Sequence, residues 1–291
     1  MLDRQWRAAR ASGSLDRRLP APAINYNISA TSSLDEYRRE FISTACLREL
    51  PNLLQLAGYR RDQPELALFD YGCGLGRLAY AFTNYFGTDA SRRYVGYEVV
   101  PAAYEFLKDA YADYANATFF TDRIAVDESY VELQRSKTVD ASSRVSFRST
   151  DLAGRVGTPI DIQFSHSVFT HMQRSSIVFA LESFTKVMRR GGVCVNSWLV
   201  VDEFAKASLA SGLADRALPH FVDGYHTYSL DNPLLCSAYP LDTIREIYAE
   251  AGHEIEVIKF GTWSGRTPDQ TLSYQDIIVS RPLAGGRLDT P

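Results

Sequence analysis

Residues 68–78 read Leu-Phe-Asp-Tyr-Gly-Cys-Gly-Leu-Gly-Arg-Leu, an apolar run that ends in three alternating glycines. No other segment limits the possible folds as tightly. The apolar run reads as a buried strand, and Arg77 to Tyr85 suits a helix, so the glycines occupy a strand-to-helix turn. Glycine there lets the backbone bend sharply and approach a ligand with no Cβ in the way, while the following helix offers N–H groups at its start. The dinucleotide-binding spacing is G-x-G-x-x-G, whose last glycine permits close helix–strand packing. In this chain Gly76 comes one residue early and Arg77 stands where a small residue is needed. That spacing counts against NAD or FAD.

The remaining composition narrows the class. The 291 residues fit one α/β domain with additions, and 45% apolar residues suffice for a large core. A net charge of -4 without a long basic run lacks the electrostatic footprint of a nucleic-acid binder, so no nucleic-acid partner is expected and small polar substrates are favoured. Cys46, Cys73, Cys194 and Cys236 are widely spaced, without metal-ligand rhythm, and read as reduced thiols. No stretch approaches the roughly 20 apolar residues of a membrane span, and the N-terminus lacks the apolar segment of a secretory signal. The expectation is a cytoplasmic protein of unknown oligomeric state. Residues 1–20 are rich in Arg and Ala, but Asp3 and Asp16 are wrong for a transit peptide, so a mobile arm is expected.

Local signals place the elements. Ser33 and Glu36 form a capping box ahead of Leu34, Tyr37, Phe41 and Ala45 at helical spacing, and Pro51 opens a second helix through Ala57. Tyr94 to Val100 reads as the second strand. Glu98 near its end lies about 20 residues beyond the glycine turn, the distance at which an acid accepts hydrogen bonds from ribose hydroxyls. Pro101 then starts a helix through Ala112. Ile160 to Ser165 reads as a fourth strand opening into His166-Ser167-Val168-Phe169-Thr170-His171-Met172, followed by a helix to about Arg189. Gln163 is an odd residue for a central parallel strand.

The G-x-G-x-G spacing preceded by Asp70 resembles the first motif of class I S-adenosylmethionine-dependent methyltransferases. Resembling segments follow in order over roughly residues 65–282, and Ser-Val-Phe-Thr-His after the fourth strand resembles one bacterial subgroup. The loop Gly261-Thr-Trp-Ser-Gly-Arg266 and the run Ser273-Tyr-Gln-Asp276 resemble it too. The implied architecture is a Rossmann-like α/β fold: a seven-stranded, mostly parallel sheet with an antiparallel last strand, and an N-terminal helical cap. The implied cofactor is S-adenosyl-L-methionine. Asp70, Gly72, Cys73, Gly74 and Gly76 would hold its methionyl part, Glu98 its ribose, and Asp122 with Arg123, or else Asp151, its adenine, with Val99 and Ser165 also binding the cofactor. If Asp122 serves, residues 127–150, including Tyr130, form an insertion. Tyr37 and Arg38 in the cap could face the cofactor; for each residue taken singly, an ordinary amphipathic helix with Tyr37 in the core and Arg38 in solvent is the preferred reading.

Methyl transfer needs an acceptor lone pair in line with the sulfonium methyl, and a hydroxyl acceptor must also lose its proton. Histidine suits that task, so His166 and His171 are the candidate bases, with His226 in reserve. Neither His166 nor His171 has a histidine partner at ligand spacing, so no metal is expected. From Asp202 to Tyr239 the periodicity dissolves into an aromatic-rich segment, read as an acceptor-binding loop or lid with Tyr225 and His226, and with Trp198 nearby. Leu241 to Ala251 reads as a helix, and Glu254 to Phe260 and Gln275 to Ser280 as the last two strands, pairing antiparallel at one sheet edge; His253 reads as structural. The expected organisation is an arm and cap (1–60), a cofactor-binding core (61–200), an acceptor-binding insertion (201–240), the rest of the core (241–282) and a tail (283–291). The implied reaction is O-methylation of a small molecule, such as a sugar, glycan or secondary metabolite. N-methylation, a nicotinamide-dependent oxidoreductase and a non-catalytic cofactor-binding protein are the alternatives.

Overall fold

A computed structural model describes residues 1–25, 31, 33–43, 49–60, 62–121 and 152–283. The chain groups into two compact units, Met1–Lys137 and Thr138–Pro291. The first comprises α1 (Leu2–Ala11), α2 (Leu34–Ser43), α3 (Glu49–Leu56), β1 (Leu66–Tyr71), α4 (Arg77–Phe86), β2 (Arg92–Tyr97), α5 (Pro101–Ala110) and β3 (Ala117–Phe120). Every residue of β1 is buried, as its unbroken apolar run requires of a strand covered on both faces. It pairs in parallel with β2, and β2 with β3.

Residues 1–20 are not a mobile arm. Arg and Ala are good helix formers, Asp3 and Arg7 pair one turn apart, and Trp6 and Ala9 pack against a cluster of Leu15, Leu19, Tyr37 and Phe41. Arg18 pins the segment: it donates to Thr83 Oγ1 at 2.9 Å and to both carboxylate oxygens of Asp16, with its guanidinium 4.6 Å from the Tyr80 ring centre. Ser33 caps α2 by accepting from the Glu36 N–H. Tyr37 is buried and donates to the Pro20 carbonyl, its hydroxyl pushed up to about 12 by burial, while Arg38 is exposed. The core-and-solvent reading of that pair is the one the helix adopts.

The second unit comprises α6 (Leu152–Val156), β4 (Ile160–Ser165), α7 (Arg174–Thr185), β5 (Met188–Trp198), β6 (Val200–Val201), α8 (Glu203–Ser211), β7 (His220–Val222), β8 (Tyr225–Thr227), β9 (Ser237–Pro240), α9 (Leu241–Glu250), β10 (His253–Lys259) and β11 (Asp276–Pro282). The helix expected to reach Arg189 stops at Thr185, because Met188 already pairs with Ile160 and draws the following residues into β5. The expected irregular segment 202–239 is also ordered. Asp202 caps α8 by accepting from the Ala205 N–H, and Asp223-Gly224, both at positive φ, turn β7 tightly into β8. These strands form a second sheet in the order β6-β9-β8-β7.

The main sheet has the order β10-β11-β5-β4-β1-β2-β3, with β11 antiparallel to both β5 and β10. The antiparallel pair at one edge is as expected. In β4, the Gln163 side chain is fully buried beside Cys194, and neither end of its amide reaches a hydrogen-bond partner among the described residues. Cys73, Cys194 and Cys236 are free thiols; Cys46 lies outside the described residues. Among the described residues no helix is long and apolar enough to cross a membrane, and no three His, Cys, Asp or Glu side chains gather as metal ligands would.

Candidate functional site

In the first unit the glycine turn is held by backbone and acid. The N–H groups of Gly72 and Cys73 both donate to the Tyr97 carbonyl at 2.9 Å, tying the turn to the end of β2. The Gly74 N–H donates to Glu98 Oε2 at 2.6 Å, and the Val100 N–H to Glu98 Oε1 at 2.8 Å. Turn and acid, read separately from the sequence, are thus one hydrogen-bonded structure. Burial raises the Glu98 carboxyl, and the backbone donors of Val100, Gly74 and Val99 oppose that rise.

The two later glycines serve different ends. Gly76 has φ +76°, and a Cβ there would come within 2.5 Å of Leu107 and 3.3 Å of Tyr111, whose hydroxyl donates to the Gly76 carbonyl. It is a packing glycine. Gly74 has φ +56°, and a Cβ there would meet nothing within 4 Å among the described residues. Its bareness is not required by protein packing, which is the condition a backbone cradle for a ligand must satisfy.

Asp70 is buried at the end of β1, where Tyr94 donates to its Oδ2 at 2.5 Å. Burial, with the Glu98 charge adding, pushes its carboxyl up to about 7. Tyr94 was not singled out from the sequence; an acid directly beside a tyrosine-bearing strand was the available signal. Cys73 is buried, and burial first and then Asp70 and Glu98 hold its thiol protonated. Val99 is buried. The three candidates for the adenine contact, Asp122, Arg123 and Asp151, lie outside the described residues, as does Tyr130.

In the second unit the end of β4 splits its polar groups. The Ser165 hydroxyl is buried and donates to Asn196 Oδ1 at 2.6 Å, so it is committed to the protein. His166 is exposed, and its ring lies nearly parallel to that of Phe164, ring centres 6.2 Å apart. His171, in a short 3-10 turn after β4, donates from Nδ1 to the Leu234 carbonyl at 3.1 Å. Burial lowers its proton affinity, the Leu234 bond opposes this, and the Arg216 charge adds to the lowering. That bond keeps the proton on Nδ1.

Trp198 and Tyr225 do not offer an acceptor surface in this structure. Trp198 is fully buried, donates to the Tyr248 hydroxyl at 3.1 Å, and packs edge-on against Phe169 and Tyr239; Tyr225 is buried against the same Tyr239. Every residue of β5 from Gly192 to Trp198 is buried. His226 is half-buried on β8 against the exposed Phe221, and burial lowers its proton affinity. His253 is buried, bonded to the Leu181 carbonyl and Thr185 and pushed down to about 4 by burial, the structural residue expected.

The run 273–276 proves to be a structural hub. Asp276, fully buried, accepts from the N–H groups of Val200 and Gly261 and from Trp263 Nε1, at 2.5–2.6 Å. Burial raises its carboxyl to about 6 against those donors. Its neighbour Gln275 bonds to Ser197 and Ser167. The run stood out in the sequence by resemblance alone; the roles of its side chains could not be read because their partners are remote in sequence.

No protein-family model matches the chain. Among solved structures it is similar to the magnesium protoporphyrin IX methyltransferase ChlM from Synechocystis PCC 6803, crystallised with bound SAH. The TM-score is 0.50 at 12% identity, over 95% of this chain and 98% of that one. It also aligns with the PH0226 protein from Pyrococcus horikoshii OT3 (TM-score 0.49, 12% identity, 90% and 95% of the two chains) and with the glycopeptide N-methyltransferase MtfA complexed with sinefungin (0.48, 9%, 84% and 96%). The likeness to the Synechocystis enzyme is one of fold: this chain has the Rossmann-like class I methyltransferase fold, with its antiparallel last strand.

Proposed function

We propose that the protein is an S-adenosyl-L-methionine-dependent methyltransferase that methylates an oxygen of a small molecule, such as a sugar, glycan or secondary metabolite, in the cytoplasm. The observation that carries this reading is the bond between the bare Gly74 backbone and the Glu98 carboxylate. It joins a cradle for a close-lying ligand to an acid suited to ribose hydroxyls. Asp70 adds a buried carboxyl whose ionised form gains from a cationic neighbour, which the ammonium of a methionyl group supplies. The residues present therefore fit the cofactor. When bound, it would supply a methyl group activated by a sulfonium.

Asp70, Gly72, Cys73 and Gly74 would hold the methionyl part, on a turn that Gly76 packs against Leu107, and Glu98 the ribose, with Val99 also at the cofactor. Asp122 with Arg123, or Asp151, would flank the adenine. The acceptor hydroxyl has to lose its proton as its oxygen gains the methyl, and His166, exposed at the end of β4, takes that proton on its ring in this reading. His171 serves as an anchor, its Nδ1–H fastening the loop to Leu234. Residues 201–240 would contact the acceptor through the β7–β8 hairpin, where His226 and Phe221 present the accessible aromatic surface.

The test is thermal unfolding with S-adenosylmethionine, S-adenosylhomocysteine (SAH) and NADH side by side, since a ligand that binds the native state raises the midpoint by mass action. The reading expects a rise with the two adenosyl sulfur ligands and none with NADH. A rise with NADH alone, or no rise with any of the three, contradicts it.

A further inference from the structure

The residue after His166 has a backbone conformation that its own side chain does not favour. Ser167 has φ +58°, in the left-handed region, one of two non-glycine residues to do so among those described; the other, Asp223, belongs to a hairpin turn that calls for it. No such turn explains Ser167. Three side-chain bonds do.

The Ser167 N–H donates to Ser197 Oγ at 2.7 Å, Ser197 Oγ lies 2.6 Å from Gln275 Oε1, and Gln275 Nε2 lies 3.0 Å from Ser167 Oγ. The polarity of this ring is determined, because a backbone N–H can only donate. Ser197 therefore accepts from Ser167 and turns its own proton to Gln275 Oε1, which directs the Gln275 amide N–H to Ser167 Oγ. Both polar ends of Ser167 are gripped, its backbone by β5 and its hydroxyl by the residue preceding β11. Ser197 is buried and paired in register with Ile277, and Gln275 is followed by Asp276 with its three bonds, so both ends rest on rigid parts of the second unit.

We propose that Ser197 and Gln275 are positioning residues for His166: the ring they form with Ser167 holds the left-handed backbone that sets where the His166 imidazole points. The inference rests on the reading of His166 as the base. Strained backbone persists only where the surroundings over-determine it, and here the strain adjoins the residue assigned the proton transfer. Ser197 and Gln275 bond to Ser167, one at its backbone N–H and the other at its hydroxyl, so each acts through Ser167.

The test follows the His166 ring by nuclear magnetic resonance of the full chain with 13C-labelled histidine, the signal being assigned by its loss in His166→Gln. In Ser197→Ala and Gln275→Leu the His166 signal is expected to shift and broaden while those of His220 and His226 stay in place. Two variants are used because Gln275→Leu sits beside Asp276 and risks the fold. Ser167→Gly, which adopts the left-handed conformation without strain, is expected to return the His166 signal toward its original position when added to Gln275→Leu. A ring with only a general structural role would lower the unfolding midpoint without this rescue. A His166 signal unmoved in both single variants, or moved but not restored by Ser167→Gly, overturns the proposal. SAH binding measured on the same samples is expected to remain within about twofold of the unsubstituted protein. Failure of the unsubstituted protein to bind SAH counts instead against the cofactor reading and is told apart by the His166 spectra.

Discussion

The glycine turn after β1 and the turn after β4 both depart from ordinary backbone, but they are held in opposite ways. In the first, the residues that need positive φ are glycines, and their partners Tyr97, Glu98 and Tyr111 lie within 35 positions along the chain. In the second, a serine takes the left-handed conformation because Ser197 and Gln275, 30 and 108 positions away, hold it there. Conformation specified by the residue itself leaves a motif in the sequence. Conformation imposed by remote side chains leaves no local reason for itself: Ser167 and Gln275 fall in segments that only a family resemblance picked out.

The largest effect should come from the support beneath the second turn. Asp276→Ala strands three buried donors, at about 1–3 kcal/mol each, so a loss on the order of 4 kcal/mol is expected in urea unfolding. A loss below about 1 kcal/mol would mean that the hub is not what fixes residues 273–276.

The contrast within the first turn comes next. Gly76→Ala combines a left-handed alanine with a Cβ 2.5 Å from Leu107 and should cost about 3 kcal/mol. Gly74→Ala meets no neighbour and should cost about 1 kcal/mol, yet weaken SAH binding at least tenfold, on the order of 1.4 kcal/mol. Equal stability losses, or undiminished SAH binding in Gly74→Ala, would erase the distinction between a packing glycine and a ligand glycine.

Asp70 and His253 should also respond to pH with opposite sign. Asp70 holds its proton more tightly folded, at about 7, than unfolded, near 3.9, so its contribution is full below about pH 4 and is lost as pH rises to about 7. His253 is depressed to about 4 from an unfolded value near 6.5, so its contribution is full above about pH 6.5 and is lost as pH falls toward 4. Melting curves from pH 4 to 8 should show Asp70→Asn gaining on the unsubstituted protein as pH rises. His253→Gln should gain on it as pH falls. Parallel curves would speak against both assignments. The smallest effect is expected at Phe221, exposed on the β7–β8 hairpin, where Phe221→Ser should change stability by no more than about 0.5 kcal/mol.

The same contrast explains what could be read in advance. The main sheet was legible because strands such as β1 are apolar runs, β10 alternates, and a helix such as α5 has its own start signal in Pro101. Glu98 was legible by its distance from the glycines, and its bond to Gly74 joins the two. Residues 1–20 were misread because composition suggested an arm, while the burial of Leu15 and Leu19 depends on partners as distant as Tyr37 and Phe41. The second sheet was missed although Asp223-Gly224 is a strong hairpin signal, since its flanking strands are only three residues each. Trp198 was read as a possible acceptor neighbour because its Tyr248 partner, 50 positions away, is invisible in the sequence.

The central claim is that the glycine turn and Glu98 together form an adenosyl-cofactor site, and calorimetric titration of SAH into the unsubstituted protein and Glu98→Gln tests it most directly. The account predicts saturable binding to the unsubstituted protein and at least tenfold weaker binding to Glu98→Gln, with the amide still able to accept from Gly74 and preserve the turn. Absence of binding to the unsubstituted protein, or equal affinity for the two, would contradict it.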